Sequence, residues 1–60
     1  MDKAEIALSL TLKYLEKRDN DSFLTVKTHY YPEAKNPTEI SDAKAIAAIF
    51  QDIYENINIS

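Results

Sequence analysis

Histidine, cysteine and glycine are the residues whose scarcity limits the chemistry of this 60-residue chain, which has one His, no Cys and no Gly. His29 and Glu33 are four residues apart, a spacing at which two helical side chains can share a metal ion. Pro32 lies between them and interrupts the helix that this spacing requires. A nucleophile with a matched base and a glycine-bearing phosphate loop are also missing. We therefore expect no enzyme activity, no bound metal and no cofactor.

Basic residues near the middle of the chain are the best case for nucleic-acid binding. Lys13, Lys17, Arg18 and Lys27 could form a phosphate-binding patch if the elements that carry them adjoin. The net charge of −3 argues against this function, since such proteins usually carry positive charge on the binding face. A small dimeric nucleic-acid-binding regulator is therefore the alternative function and not the leading one.

Four tyrosines are the large amphipathic groups of the chain, a residue type enriched at binding surfaces because it buries area and keeps a polar handle. Tyr14 and Tyr54 lie within predicted helices and can equally be core-edge residues. Tyr30 and Tyr31 are adjacent and immediately precede Pro32. This "YYP" stretch is our first choice for a contact outside the domain.

The first element that must position these residues is a helix predicted over about residues 3–18. Asp2 can cap it and Glu5 follows three residues later, the spacing of a capping box. At about 100° per residue, two apolar faces result. One predicted face holds Ala4, Leu8, Leu12 and Leu15, and the other holds Ile6, Leu10 and Tyr14. The helix therefore offers apolar surface in two directions and needs more than one neighbour.

The last element is a helix predicted over about residues 37–57, with two possible starts. Asn36 can cap a helix with Pro37 in its first position, and Ser41 can cap a later start. The predicted buried seam follows spacings of three and four and consists of Ala43, Ile46, Phe50, Ile53 and Ile57. We expect this seam to pack, antiparallel, against one apolar face of the first helix.

The segment at about residues 22–31, "SFLTVKTHYY", fits two periods. As a strand it would place Leu24, Val26, Thr28 and Tyr30 on one face. As a helix it would place Phe23, Val26 and Tyr30 together. A lone strand has no partner within the chain and would have to pair across a dimer, whereas a helix completes a three-helix domain. We favour the helix.

These elements predict a single all-α domain spanning residues 1–60, a small three-helix bundle or two long helices with a short middle segment, that self-associates. The alternative is an α+β fold with residues 22–31 as a strand paired across a dimer. Sixty residues bury a small core, and the chain has no disulfide to support it. The remaining sources of stability are tight helix packing and self-association.

A leftover apolar face is the observation from which we predict function. The short middle segment is too small to cover the second face of the first helix, so a second copy or another protein should cover it. The leading function is a non-enzymatic protein–protein interaction module, a regulatory adaptor or assembly component, with a homodimer favoured. The candidate interaction surface consists of Ile6, Leu10, Tyr14, Tyr30, Tyr31, Ile49 and Tyr54.

Location is predicted from the absence of membrane and secretion signals. No apolar run approaches the roughly 20 residues that span a bilayer. The opening segment "MDKAEIALSL" is acidic where a secretory signal is basic. We expect an intact small gene product in the cytoplasm, without membrane contact.

Overall fold

The computed structural model describes residues 2–18 and 23–57, and these ranges form an all-α fold. Three α-helices follow in order: α1 (Lys3–Glu16), α2 (Leu24–Tyr30) and α3 (Asp42–Asn56). A 3-10 turn at Pro37–Glu39 lies between α2 and α3. The all-α prediction is confirmed. The α+β alternative is wrong, because Leu24–Tyr30 is helical and no strand occurs in the described ranges.

The N-terminus of α1 follows the predicted capping pattern. Asp2 is extended, with ψ of 171°, and its Oδ1 accepts a 2.8 Å hydrogen bond from the backbone N–H of Glu5. This bond satisfies one of the four N–H groups that the first turn leaves without a partner. The helix ends at Glu16, two residues before the predicted end, with Lys17 as its C-cap. Residues 19–22, which include the first residue of the predicted middle segment, lie outside the described residues.

The ambiguous middle segment is helical because a helix satisfies its backbone locally. The Lys27 N–H donates to the Phe23 carbonyl at 2.7 Å, and the Tyr31 N–H donates to the Lys27 carbonyl at 2.8 Å. A strand would have left these groups to a partner outside the chain. The helix ends at Tyr30, and the next residue, Tyr31, takes a non-helical conformation. The reason is that Pro32 follows, and a proline disfavours helical geometry in the residue before it.

The last helix begins at the later of its two predicted starts. Ser41 is extended and its Oγ accepts a 3.1 Å hydrogen bond from the Lys44 N–H, which makes it the N-cap. Residues 37–41 therefore do not belong to α3, and the predicted range 37–57 is wrong at its start. The reason is that Ile40 is also extended, with ψ of 128°, so the turn that begins at Pro37 stops after Glu39.

The central helix of the fold is α3, which packs against both α1 and α2. The Lys3 ammonium, at the start of α1, lies 4.7 Å from the centroid of the Tyr54 ring, near the end of α3. Near the other end of α1, Leu15 packs against a core cluster to which Ala45 and Ile49 of α3 contribute. The predicted antiparallel pairing of α1 and α3 is therefore confirmed.

The buried side of α3 differs from the predicted seam. The most buried residues of α3 are Ala45 and Ile49, which form a cluster with Val26 of α2. Ala43, predicted to be buried, is exposed. The other four predicted seam residues are partly buried: Ile46, Phe50, Ile53 and Ile57. The physical reason is that α3 packs against two helices. Its most buried residues therefore lie between these two contacts, whereas the predicted seam assumed a single neighbour.

The molecule is flat and its core is small. Its principal extents are 39 × 23 × 13 Å and its radius of gyration is 12.4 Å, compared with about 10 Å for a compact 60-residue domain. Among the described residues, the buried hydrophobic side chains are Ala7, Val26, Ala45 and Ile49. Within the same residues, no helix has both the length and the apolar character needed to cross a bilayer.

Candidate functional site

The contact that α1 makes with the rest of the fold is built from small residues. Ala7 is fully buried, and Thr11, one helical turn later, is also buried. The Thr11 hydroxyl donates a 2.7 Å hydrogen bond to the Ala7 carbonyl. Its burial therefore leaves no donor unsatisfied. Small side chains let a neighbouring helix approach closely, and of the leucines of α1 only Leu15 packs against the core cluster.

Three leucines of α1 are left exposed on the two flanks of this contact. Leu8 and Leu12 expose 51% and 52% of their surface, and Leu10 exposes 44%. At about 100° per residue, Leu8 and Leu12 lie on one flank of Ala7 and Thr11, and Leu10 lies on the other. We call the first pair the Leu8–Leu12 stripe. Exposed apolar residues in one contiguous row mark an interaction site more reliably than scattered ones.

The Leu8–Leu12 stripe corrects a sequence prediction. These two residues were expected in the core beside Ala4 and Leu15, but only Leu15 packs against the core cluster, and Ala4 is exposed. The apolar periodicity led us to predict that these leucines are core residues. The small pair Ala7 and Thr11, at the same spacing of four, was the signal available in the sequence for a close helix contact.

The seven residues predicted as an interaction surface are found in different environments. Ile49 is buried in the core cluster, so its place on an exposed surface is wrong. Leu10 and Tyr14 are exposed. The other four are partly buried: Ile6, Tyr30, Tyr31 and Tyr54. Tyr54 stacks on Phe50 with ring centroids 6.0 Å apart, in addition to its contact with Lys3. The predicted set is therefore not a single exposed face.

The two tyrosines of the "YYP" stretch contact α3. The Tyr30 hydroxyl donates a 2.6 Å hydrogen bond to Oδ2 of Asp52. Burial, and then the hydrogen bond and charge of Asp52, raise the pKa of Tyr30 from 10.0 to about 12. The Lys44 ammonium lies 4.8 Å from the centroid of the Tyr31 ring. Both side chains are thus engaged in holding α2 and its C-terminal end against α3.

The four basic residues predicted as a nucleic-acid patch do not form one exposed set. Lys27 is buried, and its ammonium pairs with Asp42 at 2.8 Å. It therefore has no free charge to offer a phosphate, and its inclusion in the patch is wrong. Lys13 and Lys17 are exposed on α1 and at its C-cap. Arg18 is partly buried and donates from Nη1 to the Tyr14 hydroxyl at 2.8 Å.

A cleft of about 420 Å³ lies where the C-terminal end of α1 meets α2 and α3. Its apolar lining consists of Val26, Ile49 and Ile53. Its polar and aromatic lining consists of Tyr14, Arg18, Thr25, His29, Tyr30 and Asp52. Cavities of a few hundred Å³ with an apolar floor and few polar groups are the usual form of ligand sites. Sequence reasoning missed this cleft because its walls come from three helices that are far apart in the chain.

The accessible surface of the chain is larger than compact packing would leave. It amounts to 4742 Å², whereas a compact monomer of this mass exposes about 4000 Å². The excess of about 740 Å² agrees with the elongated shape of the fold.

No group of three or more potential metal ligands occurs in residues 2–18 and 23–57. Comparison of the chain with protein-family models, curated proteins and solved structures finds no match in any of the three.

Proposed function

We propose that this chain is a small, non-enzymatic protein–protein interaction module, a regulatory adaptor or assembly component, that acts as a homodimer formed through α1. The observation that carries the proposal is the Leu8–Leu12 stripe, where two leucines one turn apart each expose about half of their surface. Removing such side chains from water is favourable by about 25 cal/mol per Å² of apolar area. In a monomer these side chains stay in contact with water, and this free energy is not gained.

A second copy is the occupant that fits this stripe best. In a two-fold dimer the same patch meets itself, so Leu8 of one protomer would lie against Leu12 of its partner. The small core and the absence of disulfides make the stability gained by association important to a chain of this length.

The test is the solution mass, measured by light scattering after size exclusion over a wide range of protein concentrations. We expect a dimer in the wild-type protein. The double substitution Leu8→Gln with Leu12→Gln should shift the mass to that of a monomer, because Gln keeps a similar size and helix propensity but removes the apolar surface. The matched control is Leu24→Gln on α2, since Leu24 is exposed to 42% and lies outside the stripe.

Two outcomes would contradict the proposal. One is a wild-type mass that stays monomeric at every concentration. The other is a double variant that dimerises as well as the wild type. Leu10→Gln separates the two flanks of α1: loss of the dimer in this variant alone would move the interface to the flank that also carries Ile6 and Tyr14. Circular dichroism of each variant establishes that the helices are retained.

Nucleic-acid binding is the alternative prediction from the sequence, and the burial of Lys27 weakens it. A gel shift of duplex DNA at two salt concentrations tests it, because phosphate contacts give a steep salt dependence. We also propose a cytoplasmic location for the module. Cell fractionation with a tagged chain tests that location.

A further inference from the structure

The cleft between α1, α2 and α3 has a shape and chemistry that the proposed dimer does not use. Its apolar lining comes from Val26, Ile49 and Ile53, of which the first two are buried in the core cluster. The residues of the Leu8–Leu12 stripe do not line it. The cleft is therefore a second feature of the surface, separate from the stripe.

Aromatic rings form a large part of its walls. Tyr14 from α1 and His29 and Tyr30 from α2 all line the cleft. The His29 and Tyr30 rings meet edge to face, with centroids 4.8 Å apart and an interplanar angle of 84°. Rings in this arrangement present both faces and edges to a third ring, which is a favoured geometry for aromatic contacts. The walls therefore suit a flat, aromatic ligand.

The unused hydrogen-bonding capacity of the cleft lies on its cationic side. Both carboxylate oxygens of Asp52 are engaged: Oδ2 accepts from the Tyr30 hydroxyl, and Oδ1 accepts from Nδ2 of Asn56 at 2.9 Å. Arg18, in contrast, has a neutral partner in the Tyr14 hydroxyl, and no carboxylate of the described residues forms a salt bridge with it. A guanidinium pairs best with a planar anion that accepts two parallel hydrogen bonds.

One atom of Arg18 adds an independent indication. Its Nε is buried and has no hydrogen-bond partner among the described residues. An unsatisfied buried donor is costly, and such atoms in a folded protein call for an explanation. With Nη1 engaged by Tyr14, the edge formed by Nε and Nη2 is the one left for a carboxylate. Because Nε is buried, binding at this edge requires the guanidinium to turn toward the cleft and to exchange its hydrogen bond with Tyr14 for a charged pair.

We propose that the cleft binds a small aromatic carboxylate, with the carboxylate on the Nε–Nη2 edge of Arg18 and the ring between Tyr14, His29 and Tyr30 over the apolar floor. A volume of about 420 Å³ accommodates a ligand of one or two rings. Neutral aromatic molecules would gain the ring contacts but not the charged pair. Aliphatic anions would gain the pair but not the rings.

The probe is benzoate, and its matched control is benzamide, which has nearly the same shape and no charge. His29 is the single histidine of the chain, so its imidazole protons give NMR signals that are easily resolved. We expect benzoate to shift these signals saturably, and benzamide to bind at least tenfold more weakly. Arg18→Gln should weaken benzoate binding at least tenfold, while Lys17→Gln, which removes the same charge from the neighbouring exposed residue, should leave it unchanged.

The proposal is overturned if benzoate gives no saturable shift, if benzamide binds as well as benzoate, or if Lys17→Gln weakens binding as much as Arg18→Gln does. If Arg18→Gln fails to fold, the comparison of benzoate with benzamide on the wild-type protein still decides the matter. Neither readout depends on the solution mass. Failure of the ligand site and failure of the dimer are therefore distinguishable.

Discussion

The Tyr30 hydroxyl lies 2.6 Å from Oδ2 of Asp52 and joins α2 to α3 across 22 residues of sequence. Asn56 donates to the other oxygen of the same carboxylate. A hydrogen bond to a charged acceptor is stronger than one between neutral groups. This contact, together with the burial of Val26 and the ion pair of Lys27, holds the seven-residue α2 helix against α3.

The Tyr30 hydroxyl predicts a loss of stability at high pH. Its pKa is raised to about 12 in the folded chain, compared with 10.0 in the unfolded one. The protonated form is present in both states below pH 10, so the contribution is complete there. Between pH 10 and 12 the unfolded chain releases this proton first, which favours unfolding.

Urea denaturation from pH 8 to pH 12 measures this effect. We expect Tyr30→Phe to be less stable than the wild type by about 1 kcal/mol at pH 8, and to lose less stability as the pH rises. Tyr31→Phe is the matched control, because its ring contact with Lys44 does not involve the hydroxyl. Parallel pH profiles for the wild type and Tyr30→Phe would contradict the argument.

The ion pair of Lys27 and Asp42 predicts unequal effects for its two partners. The Lys27 side chain is 9% exposed and that of Asp42 is 64% exposed. Asp42→Asn leaves a buried ammonium without a counter-charge and should cost about 1–3 kcal/mol. Lys27→Met removes the buried charge itself, leaves Asp42 solvated at the N-terminus of α3, and should cost less.

A double-mutant cycle in thermal and urea unfolding separates these terms. In the Lys27→Met background, Asp42→Asn should cost only the loss of its interaction with the helix dipole, a few tenths of a kcal/mol. Equal costs of Asp42→Asn in both backgrounds would show that the ion pair contributes nothing measurable.

The capping role of Ser41 predicts where α3 can be weakened. Its Oγ accepts from the Lys44 N–H, so Ser41→Ala should cost about 1 kcal/mol, whereas Ser41→Asp should retain the cap. Ser9→Ala is the control, since Ser9 is an exposed serine in the interior of α1, where Ala is the better helix former. A cost for Ser9→Ala equal to that for Ser41→Ala would remove the argument for a cap.

The small contact between α1 and α3 predicts that enlarging its alanine costs more stability than truncating a neighbouring leucine. Ala7 is fully buried, so Ala7→Leu adds a larger apolar side chain where there is no room and should cost about 1–3 kcal/mol. Leu8→Ala, measured at protein concentrations at which the chain is monomeric, should change the stability by less than about 0.5 kcal/mol. A large loss of stability in Leu8→Ala under these conditions would show that Leu8 is a core residue.

Local sequence patterns predicted the helices well because the interactions behind them are local. The Asp2 cap, the Ser41 cap and the end of α2 before Pro32 each depend on residues within a few positions, and each is present in the structure. The all-α class followed from the same signals. The choice between the Asn36 and Ser41 starts remained open, since both satisfy the same capping rule.

The sequence by itself determined the elements and their apolar faces, whereas only the tertiary structure decided which faces are covered. Apolar residues occupy most of the circumference of α1. Periodicity alone therefore does not decide whether α3 packs on the leucines or on Ala7 and Thr11 between them. Close packing decided in favour of the small residues, which left Leu8 and Leu12 exposed. The cleft at Arg18 has the same origin, because its walls come from three helices that only the folded chain brings together.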